Sequence, residues 1–194
     1  SITTDTETKI LAGGGLQYAQ YLNSTKRLDV FGNEVSNLDY ESELDMFHYG
    51  VFAQASQPFF NKRLTLSAGL RIDGSTYSSE MTNPLRQFSP RISGSYYITP
   101  EFSVNASTGR FYQRPSYTIL GYRDAEGNLA NKENGIKYIS VDNVVAGVEF
   151  LPGEKTRISL EGFYKYYRDY PFSVRDSVAI SGKGADFGTY GDEE

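Results

Sequence analysis

The 194-residue sequence has no cysteine and no tryptophan, and it contains a single histidine, His48. Without cysteine the chain has no disulfide, no thiolate zinc site and no thiol nucleophile. One imidazole cannot build a histidine cluster around a metal, so we first interpret His48 as an ordinary strand residue. These absences remove the commonest metal centres and all cysteine chemistry from the functions to consider.

Long apolar runs and basic stripes are missing as well. No stretch stays apolar over the ~20 residues that a membrane-spanning helix needs. The formal net charge is -5 and the isoelectric point is about 5.0, with lysine and arginine scattered along the chain. Nucleic acid is therefore not an expected partner.

Aromatic residues are abundant, at 14% with 16 Tyr and 12 Phe, although the mean hydropathy is only -0.47. From Leu64 to Asp73, apolar side chains occupy the even positions and polar or small ones the odd positions, and Arg157–Tyr166 shows the same alternation. A period of two predicts β-strands with one apolar face. A transmembrane β-barrel needs apolar residues on that face alone, and it places aromatic rings at the membrane interfaces.

Seven predicted strands share this alternation and a length of about ten to thirteen residues, which suits a tilted crossing of a bilayer. They are Thr8–Tyr21, Asp45–Gln57, Leu64–Asp73, Phe88–Ile98, Phe102–Phe111, Asp142–Phe150 and Arg157–Tyr166. Phe52 and Val145 break the pattern, and Gly13-Gly14-Gly15 is expected to bend the first strand. No segment gives a clear helical pattern.

The connections between these strands alternate between long and short. The long ones are 22–44, 74–87, 112–140 and 168–186, and the short ones are 58–63, 99–101 and 151–155. Long extracellular loops and short periplasmic turns are typical of outer-membrane barrels. A soluble β-sandwich also uses Tyr and Phe, but it has no reason to lengthen every second connection. The predicted fold is an all-β, antiparallel, up-and-down transmembrane β-barrel.

Two hairpins have a familiar local sequence. Tyr49–Gln54 is followed by Leu64–Asp73, and Phe88–Ile92 leads into Phe102–Pro115. The most specific signals are a Ser-Pro-Arg strand start at Ser89 and a strand that ends in Gly, an aromatic, Arg and Pro. These stretches resemble the barrel hairpins of TonB-dependent outer-membrane receptors, in particular those of the Bacteroidetes type.

The resemblance implies a barrel of about 22 strands that is filled by an N-terminal plug. Residues 1–194 would then be a partial barrel domain from the internal to late part of that barrel, with the plug and the other strands absent from this sequence. Phe187–Glu194 is expected to begin a truncated eighth strand. Seven complete strands leave an open edge, whose backbone N–H and C=O groups find no hydrogen-bond partners in lipid. We therefore expect these strands to lie within the larger barrel.

The resemblance also implies a function and a set of partners. The function is energy-coupled uptake of a scarce nutrient (an iron chelate such as a siderophore complex, a corrinoid, an oligosaccharide or a peptide) across the bacterial outer membrane, without enzymatic activity or cofactor. The partners are outer-membrane lipid, the plug, the remaining strands, a periplasmic TonB-type energy-coupling protein and a surface lipoprotein. Two alternatives stay open: a small non-transporting barrel or adhesin, and an outer-membrane barrel hydrolase that would need His48 as its base.

Three groups of side chains are candidate site residues. Ligand contacts are predicted in the long connection 112–140, where aromatic rings lie near arginines: Tyr112, Gln113, Arg114, Tyr117, Tyr122 and Arg123. Lumen-facing wall residues are predicted from strand parity: Arg71, Arg91, Glu149, Glu161 and Lys165. The alternating acidic residues Asp39, Glu41, Glu43 and Asp45 are a weak calcium candidate because carboxylate oxygens suit that ion, with a solvated acidic rim as the favoured interpretation. No catalytic constellation is evident.

Overall fold

The computed structural model describes residues 2–3, 7–31, 34–153, 155–173, 177–180 and 190–191. The long strands are β2 (Lys9–Phe31), β3 (Glu34–Phe59), β4 (Leu64–Ser75), β5 (Ser89–Tyr97), β6 (Phe102–Gln113), β7 (Ile139–Gly153) and β8 (Thr156–Arg168). The two-residue strands are β1 (Ile2–Thr3), β9 (Phe172–Ser173), β10 (Val178–Ala179) and β11 (Tyr190–Gly191).

Strands β1 to β8 form one sheet in chain order, and each strand pairs antiparallel with the next. This meander confirms the predicted up-and-down arrangement and all seven long strands. The predicted bounds of β4 to β8 differ from the observed ones by a few residues, mostly because the strands continue further toward the long connections. Among the described residues, no helix is long and apolar enough to cross a membrane.

The two faces of the sheet differ in chemistry. Directly paired residues of antiparallel strands carry their side chains on the same face. Rows across β6, β7 and β8 on one face are Phe102–Phe150–Ile158, Val104–Val148–Leu160, Ala106–Ala146–Gly162 and Thr108–Val144–Tyr164. We call this the apolar face. The opposite, polar face carries the intervening residues, such as Ser103, Asn105 and Ser107 on β6.

The connection 22–44, predicted as a loop, is instead a continuation of β2 and β3. Their pairing runs from Leu22–Glu43 to Phe31–Glu34. The physical reason is a second alternation along β3, where exposed Glu41, Glu43 and Asp45 alternate with buried Ser42, Leu44 and Met46. Because β4 ends at Ser75 opposite His48, this hairpin extends well beyond its neighbour.

The connections at the other end of the sheet are tight turns. Between β3 and β4, Phe60, Asn61 and Lys62 have φ angles of 52°, 54° and 69° in the left-handed region. The long connections contain short helices of four residues each: α1 (Ser79–Thr82), a 3-10 helix (Pro84–Gln87), α2 (Tyr117–Leu120) and α3 (Ala130–Glu133). Ser78 caps α1 by accepting a hydrogen bond from the Met81 amide at 3.3 Å.

A hydrophobic cluster, which we call the loop core, lies between the long connections and β3. Its buried members are Leu44, Met46, Tyr77, Met81, Ile119, Leu120, Ile136 and Tyr138. Two backbone carbonyls inside it accept side-chain hydrogen bonds, since the Tyr77 hydroxyl donates to Leu120 O at 2.9 Å and Asn131 Nδ2 donates to Ile119 O at 2.7 Å. The two connections are therefore packed against each other and against the sheet.

The predicted eighth strand, Phe187–Glu194, falls mostly outside the described residues. Its described part, β11 (Tyr190–Gly191), pairs with β9 in a small three-stranded sheet of order β10-β9-β11. It does not pair with β8. The small sheet follows the last long strand at the end of the molecule that carries the long connections.

Candidate functional site

A cavity of about 660 Å³ opens on the polar face, where β2, β3 and β4 meet the end of β6 and the start of the connection that follows. Its polar lining residues include Gln17, His48, Arg71, Asp73, Arg91, Tyr112, Gln113, Arg114 and Tyr138. We call it the arginine cavity, since three of its residues are arginines. Sequence parity predicts Arg71 and Arg91 on one face, but their meeting with Arg114 depends on the fold of the connection.

Arg71 is held in place by Asp73 on the same strand. Its Nε and Nη2 atoms donate hydrogen bonds of 2.7 Å each to the two carboxylate oxygens of Asp73. The side chain of Asp73 lies over Gly50 of β3, its cross-strand partner. A Cβ atom at Gly50 would lie 2.4 Å from Asp73 Oδ1, so glycine is required there.

Arg91 lies over an aromatic ring. A Cβ atom at its cross-strand partner Gly109 would come within 3.0 Å of Arg91 Cγ, which shows that the side chain crosses the glycine. Its guanidinium carbon then sits 4.3 Å from the centroid of the Phe111 ring, a cation–π contact. This stacking orients the planar guanidinium but leaves its N–H donors without a carboxylate among the described residues.

Arg114 is linked to His48 through a tyrosine. Arg114 Nη1 donates to the Tyr117 hydroxyl at 3.3 Å, and that hydroxyl lies 3.3 Å from His48 Nε2. His48 is 7% exposed, and its Nδ1 atom has no hydrogen-bond partner in the described part of the chain. The neighbour of the imidazole is thus a tyrosine, and not the serine or carboxylate that a hydrolytic triad requires.

The electrostatic balance of the arginine cavity is positive. Three guanidinium groups face one carboxylate, Asp73, which is already engaged by Arg71. Burial raises the pKa of Tyr138 to about 12, and burial also raises the pKa of Tyr77 nearby in the loop core. Tyr138 therefore stays a neutral phenol at physiological pH and adds no negative charge. The cavity can hold an anionic group of a ligand.

The six predicted ligand contacts fall into three groups. Tyr112, Gln113 and Arg114 line the arginine cavity. Tyr117 packs between the cavity and the β2–β3 hairpin, with its ring 6.0 Å from that of Tyr21. Tyr122 and Arg123 lie on the hairpin instead: Tyr122 stacks on Tyr40 at 5.9 Å, and Arg123 donates to the Glu43 carbonyl at 2.8 Å.

The five predicted wall residues share the polar face, but only two of them line the arginine cavity. Arg71 and Arg91 do so. Further along the sheet, Glu149 forms an ion pair with Arg157, a partner that the sequence did not suggest. Glu161 is the cross-strand partner of Gly147, and Lys165 Nζ lies 5.2 Å from the Phe163 ring.

The acidic candidates for calcium follow one strand. Glu41, Glu43 and Asp45 are exposed on one face of β3, with ~7 Å between successive side chains of that face. Asp45 accepts a hydrogen bond from the Tyr18 hydroxyl at 2.7 Å, and Glu43 accepts one from Gln20 at 3.1 Å. The side chain of Asp39 is outside the described residues. No group of three His, Asp or Glu in the described part of the chain is placed to hold a metal ion.

Of the polar lining residues named above, three were not among the sequence-derived candidates: Asp73, Tyr138 and Gln17. Asp73 carries a readable signal, since it follows Arg71 by two residues and therefore shares its face. Gln17 also follows from parity, because it lies on the polar face opposite His48. Tyr138 has no such signal, because its place in the loop core depends on the packing of two connections.

Long antiparallel strands in meander order, apolar on one face and polar on the other, define the wall of an outer-membrane type of β-barrel. Residues 2–192 match the family described as TonB dependent receptor-like, beta-barrel. The chain therefore belongs to the TonB-dependent receptor family, as part of its barrel domain, which confirms the family resemblance seen in the sequence, while the Bacteroidetes type stays a prediction.

Solved structures show the same fold. The ferric enterobactin receptor PfeA of Pseudomonas aeruginosa, in a mutant form, is 18% identical with a TM-score of 0.61 over 98% of this chain and 29% of that one. The copper transporter OprC is 18% identical with a TM-score of 0.59 over 88% of this chain and 29% of that one. OmpT, an outer membrane protein of Vibrio cholerae, is 11% identical with a TM-score of 0.50, over 98% and 49%. A comparison with curated proteins found no match.

Proposed function

We propose that the chain is part of the barrel of an energy-coupled receptor that takes up a scarce nutrient across the bacterial outer membrane. Its match to a receptor family and the likeness of its fold to a copper transporter and a ferric enterobactin receptor support this. The chain spans 29% of each of those two proteins. In this proposal a plug, the remaining strands and a periplasmic TonB-type protein complete the receptor, and a surface lipoprotein assists it.

The arginine cavity is the proposed nutrient contact of this part of the barrel. The observation that carries the proposal is that Arg91 and Arg114 have no carboxylate partner among the described residues, although both line one polar cavity. A guanidinium that is oriented but has no carboxylate partner is preorganised for bidentate hydrogen bonding to an oxyanion. Within the nutrient classes implied above, this favours an anionic iron chelate or a peptide carboxylate over a neutral oligosaccharide.

The test uses the full-length receptor in outer-membrane vesicles and three labelled nutrients: ferric citrate, cobalamin and a neutral maltooligosaccharide. Arg114→Gln removes one charge and keeps a polar side chain of similar reach. Because a hydrogen bond to a charged group contributes about 1.5–3 kcal/mol, we expect roughly tenfold or greater loss of ferric citrate binding. Arg91→Gln should act in the same direction.

Arg86→Gln is the matched control, since Arg86 pairs with Glu80 in the connection after β4 and does not line the cavity. It should bind ferric citrate as the unaltered receptor does. Tight binding of the neutral oligosaccharide that neither arginine substitution changes would contradict the anionic nutrient class. Equal ferric citrate binding by all three variants would show that the arginine cavity does not contact the nutrient.

A further inference from the structure

The apolar face ends in a charged row at the end of the sheet with the long connections. Across β6, β7 and β8, the row above Thr108–Val144–Tyr164 is Arg110–Asp142–Tyr166. Arg168 follows two residues after Tyr166 and so shares its face. These charged side chains stand on the side of the sheet that is turned away from the arginine cavity and toward the bilayer.

The height of this row brings its arginine side chains within reach of a membrane boundary. Phe102 lies in the first aromatic row at the short-turn end, and Arg110 lies eight residues further along β6. At ~3.3 Å per residue that is about 26 Å along the strand, and about 20 Å along the membrane normal for a strand tilted by ~40°. The apolar band of a barrel is ~25 Å tall, so the backbone of Arg110 lies about 5 Å inside its outer edge, a distance that a long arginine side chain covers by snorkelling toward the lipid headgroups.

Two guanidinium groups share one carboxylate in this row. Arg110 donates to Asp142 from Nε at 2.6 Å and from Nη2 at 2.9 Å, and Arg168 donates from Nη2 at 2.5 Å. Asp169 is nearby but accepts a hydrogen bond from Ser140 at 3.4 Å, and it forms no ion pair with either arginine among the described residues. One positive charge of the row is therefore unmatched.

Both arginines keep N–H donors beyond those that Asp142 accepts and remain accessible, and Tyr112 is a second polar neighbour of Arg110. Their side chains are 39% and 41% exposed, and Asp142 takes up one edge of Arg110 and a single nitrogen of Arg168. The Tyr166 ring supports Arg168, whose guanidinium carbon lies 4.8 Å from the ring centroid. Planar, oriented guanidinium groups with spare N–H donors suit a phosphate, whose oxygens they can bind in pairs.

We propose that Arg110 and Arg168 bind the phosphate of a lipid headgroup in the outer leaflet. The leaflet follows from the long connections, which mark the extracellular end of such barrels. The proposal rests on the barrel's place in the outer membrane, which belongs to the proposed function, but it does not depend on the nutrient. Snorkelling arginines and an interfacial tyrosine above an apolar band are the groups expected to meet such a headgroup.

The experiment measures lipid bound to the full-length receptor in detergent by native mass spectrometry. The probes are lipid A, a neutral digalactosyl lipid and inorganic phosphate. Arg168→Gln leaves Asp142 paired with Arg110, so the barrel keeps its ion pair and should fold. We expect about tenfold weaker retention of lipid A by Arg168→Gln, and partial retention by Arg168→Lys.

The matched control is Arg157→Gln, which removes the same charge from the polar face of the same strand. It should retain lipid A fully. Unchanged retention by Arg168→Gln, equal binding of the neutral lipid, or inorganic phosphate binding as tightly as lipid A would each overturn the proposal. Nutrient binding measured on the same variants separates the two hypotheses, because Arg168→Gln should leave it unchanged whichever nutrient is bound.

Discussion

At the scale of single residues, close backbone approach explains several features of the polar face. Gly50 leaves room for the carboxylate of Asp73, which in turn fixes Arg71 in the arginine cavity. Phe52 breaks the alternation of β3 because its ring lies over Gly13, where a Cβ atom would be 2.8 Å from Phe52 Cε1. The glycine run of β2 therefore accommodates an inward-facing ring.

Gly50→Ala should destabilise the barrel. The new methyl group would meet Asp73 Oδ1 at 2.4 Å and Ile72 O at 3.1 Å, so the Arg71–Asp73 pair or the strand must shift. Overpacking of this kind costs about 1–3 kcal/mol. The measurement is the heating midpoint at which the full-length receptor loses its folded mobility on a denaturing gel.

The control for this substitution is Gly162→Ala. A Cβ atom at Gly162 of β8 meets nothing within 4 Å among the described residues, so its midpoint should stay that of the unaltered receptor. A Gly50→Ala midpoint equal to that of Gly162→Ala would show that the close approach to Asp73 does not constrain the fold.

Parity predicts the face of a residue better than it predicts its partner. Arg71, Arg91, Glu149, Glu161 and Lys165 share the polar face, as their positions within the strands indicate. The partner of Glu149 is Arg157, which lies two residues before Ser159, the residue directly opposite Glu149. Such a diagonal pair depends on the register of the two strands, and the alternation of side chains does not reveal it.

At the scale of elements, the β2–β3 hairpin and the connection 114–138 stabilise each other. The Tyr40 hydroxyl donates to the Gly121 carbonyl at 3.1 Å and accepts from the Arg123 amide at 2.7 Å. Arg123 also donates to the carbonyls of Gly127 at 2.6 Å and Glu43 at 2.8 Å. Arg123 thus links the connection to the hairpin and also links two parts of the connection to each other.

Arg123→Ala should loosen this attachment without unfolding the sheet. The Glu43 and Gly127 carbonyls lose a charged donor, and each such bond contributes about 1.5–3 kcal/mol when it is shielded and less at this exposed site. We expect about tenfold faster hydrogen exchange in the connection 114–138. Lys62→Ala, at the opposite end of the sheet beside Glu7, is the control. Unchanged exchange would mean that the loop core alone holds the connection.

The extension of the β2–β3 hairpin over residues 22–44 was not predicted from the sequence, for a physical reason. Along β3 below His48, the polar face carries Gly50, Phe52 and Gln54, whereas above it the same face carries Leu44 and Met46. The apolar residues therefore change from one face to the other within a single strand. A search for one continuous alternation does not detect that the strand continues. The reversal exists because the loop core covers this face, and the residues of that core come together only after folding.

At the scale of the whole molecule, the sheet is built for two different surroundings. Every residue of β8 is exposed in this chain, on both faces. Leu160 belongs to the apolar rows, while its neighbour Glu161 lies on the polar face beside Gly147. In a barrel wall one such neighbour faces lipid and the other faces water. In a soluble sandwich no face of the sheet contacts lipid.

The two faces can be distinguished by placing a fluorescent label on Leu160→Cys or Glu161→Cys of the full-length receptor in liposomes, with any other cysteines replaced. Successive side chains of a strand point to opposite faces, so brominated lipid should quench the label at position 160 and leave that at 161 bright. Water-soluble acrylamide should show the reverse preference. Equal quenching of both labels by brominated lipid would contradict a barrel wall, because it would place both faces of the strand in lipid.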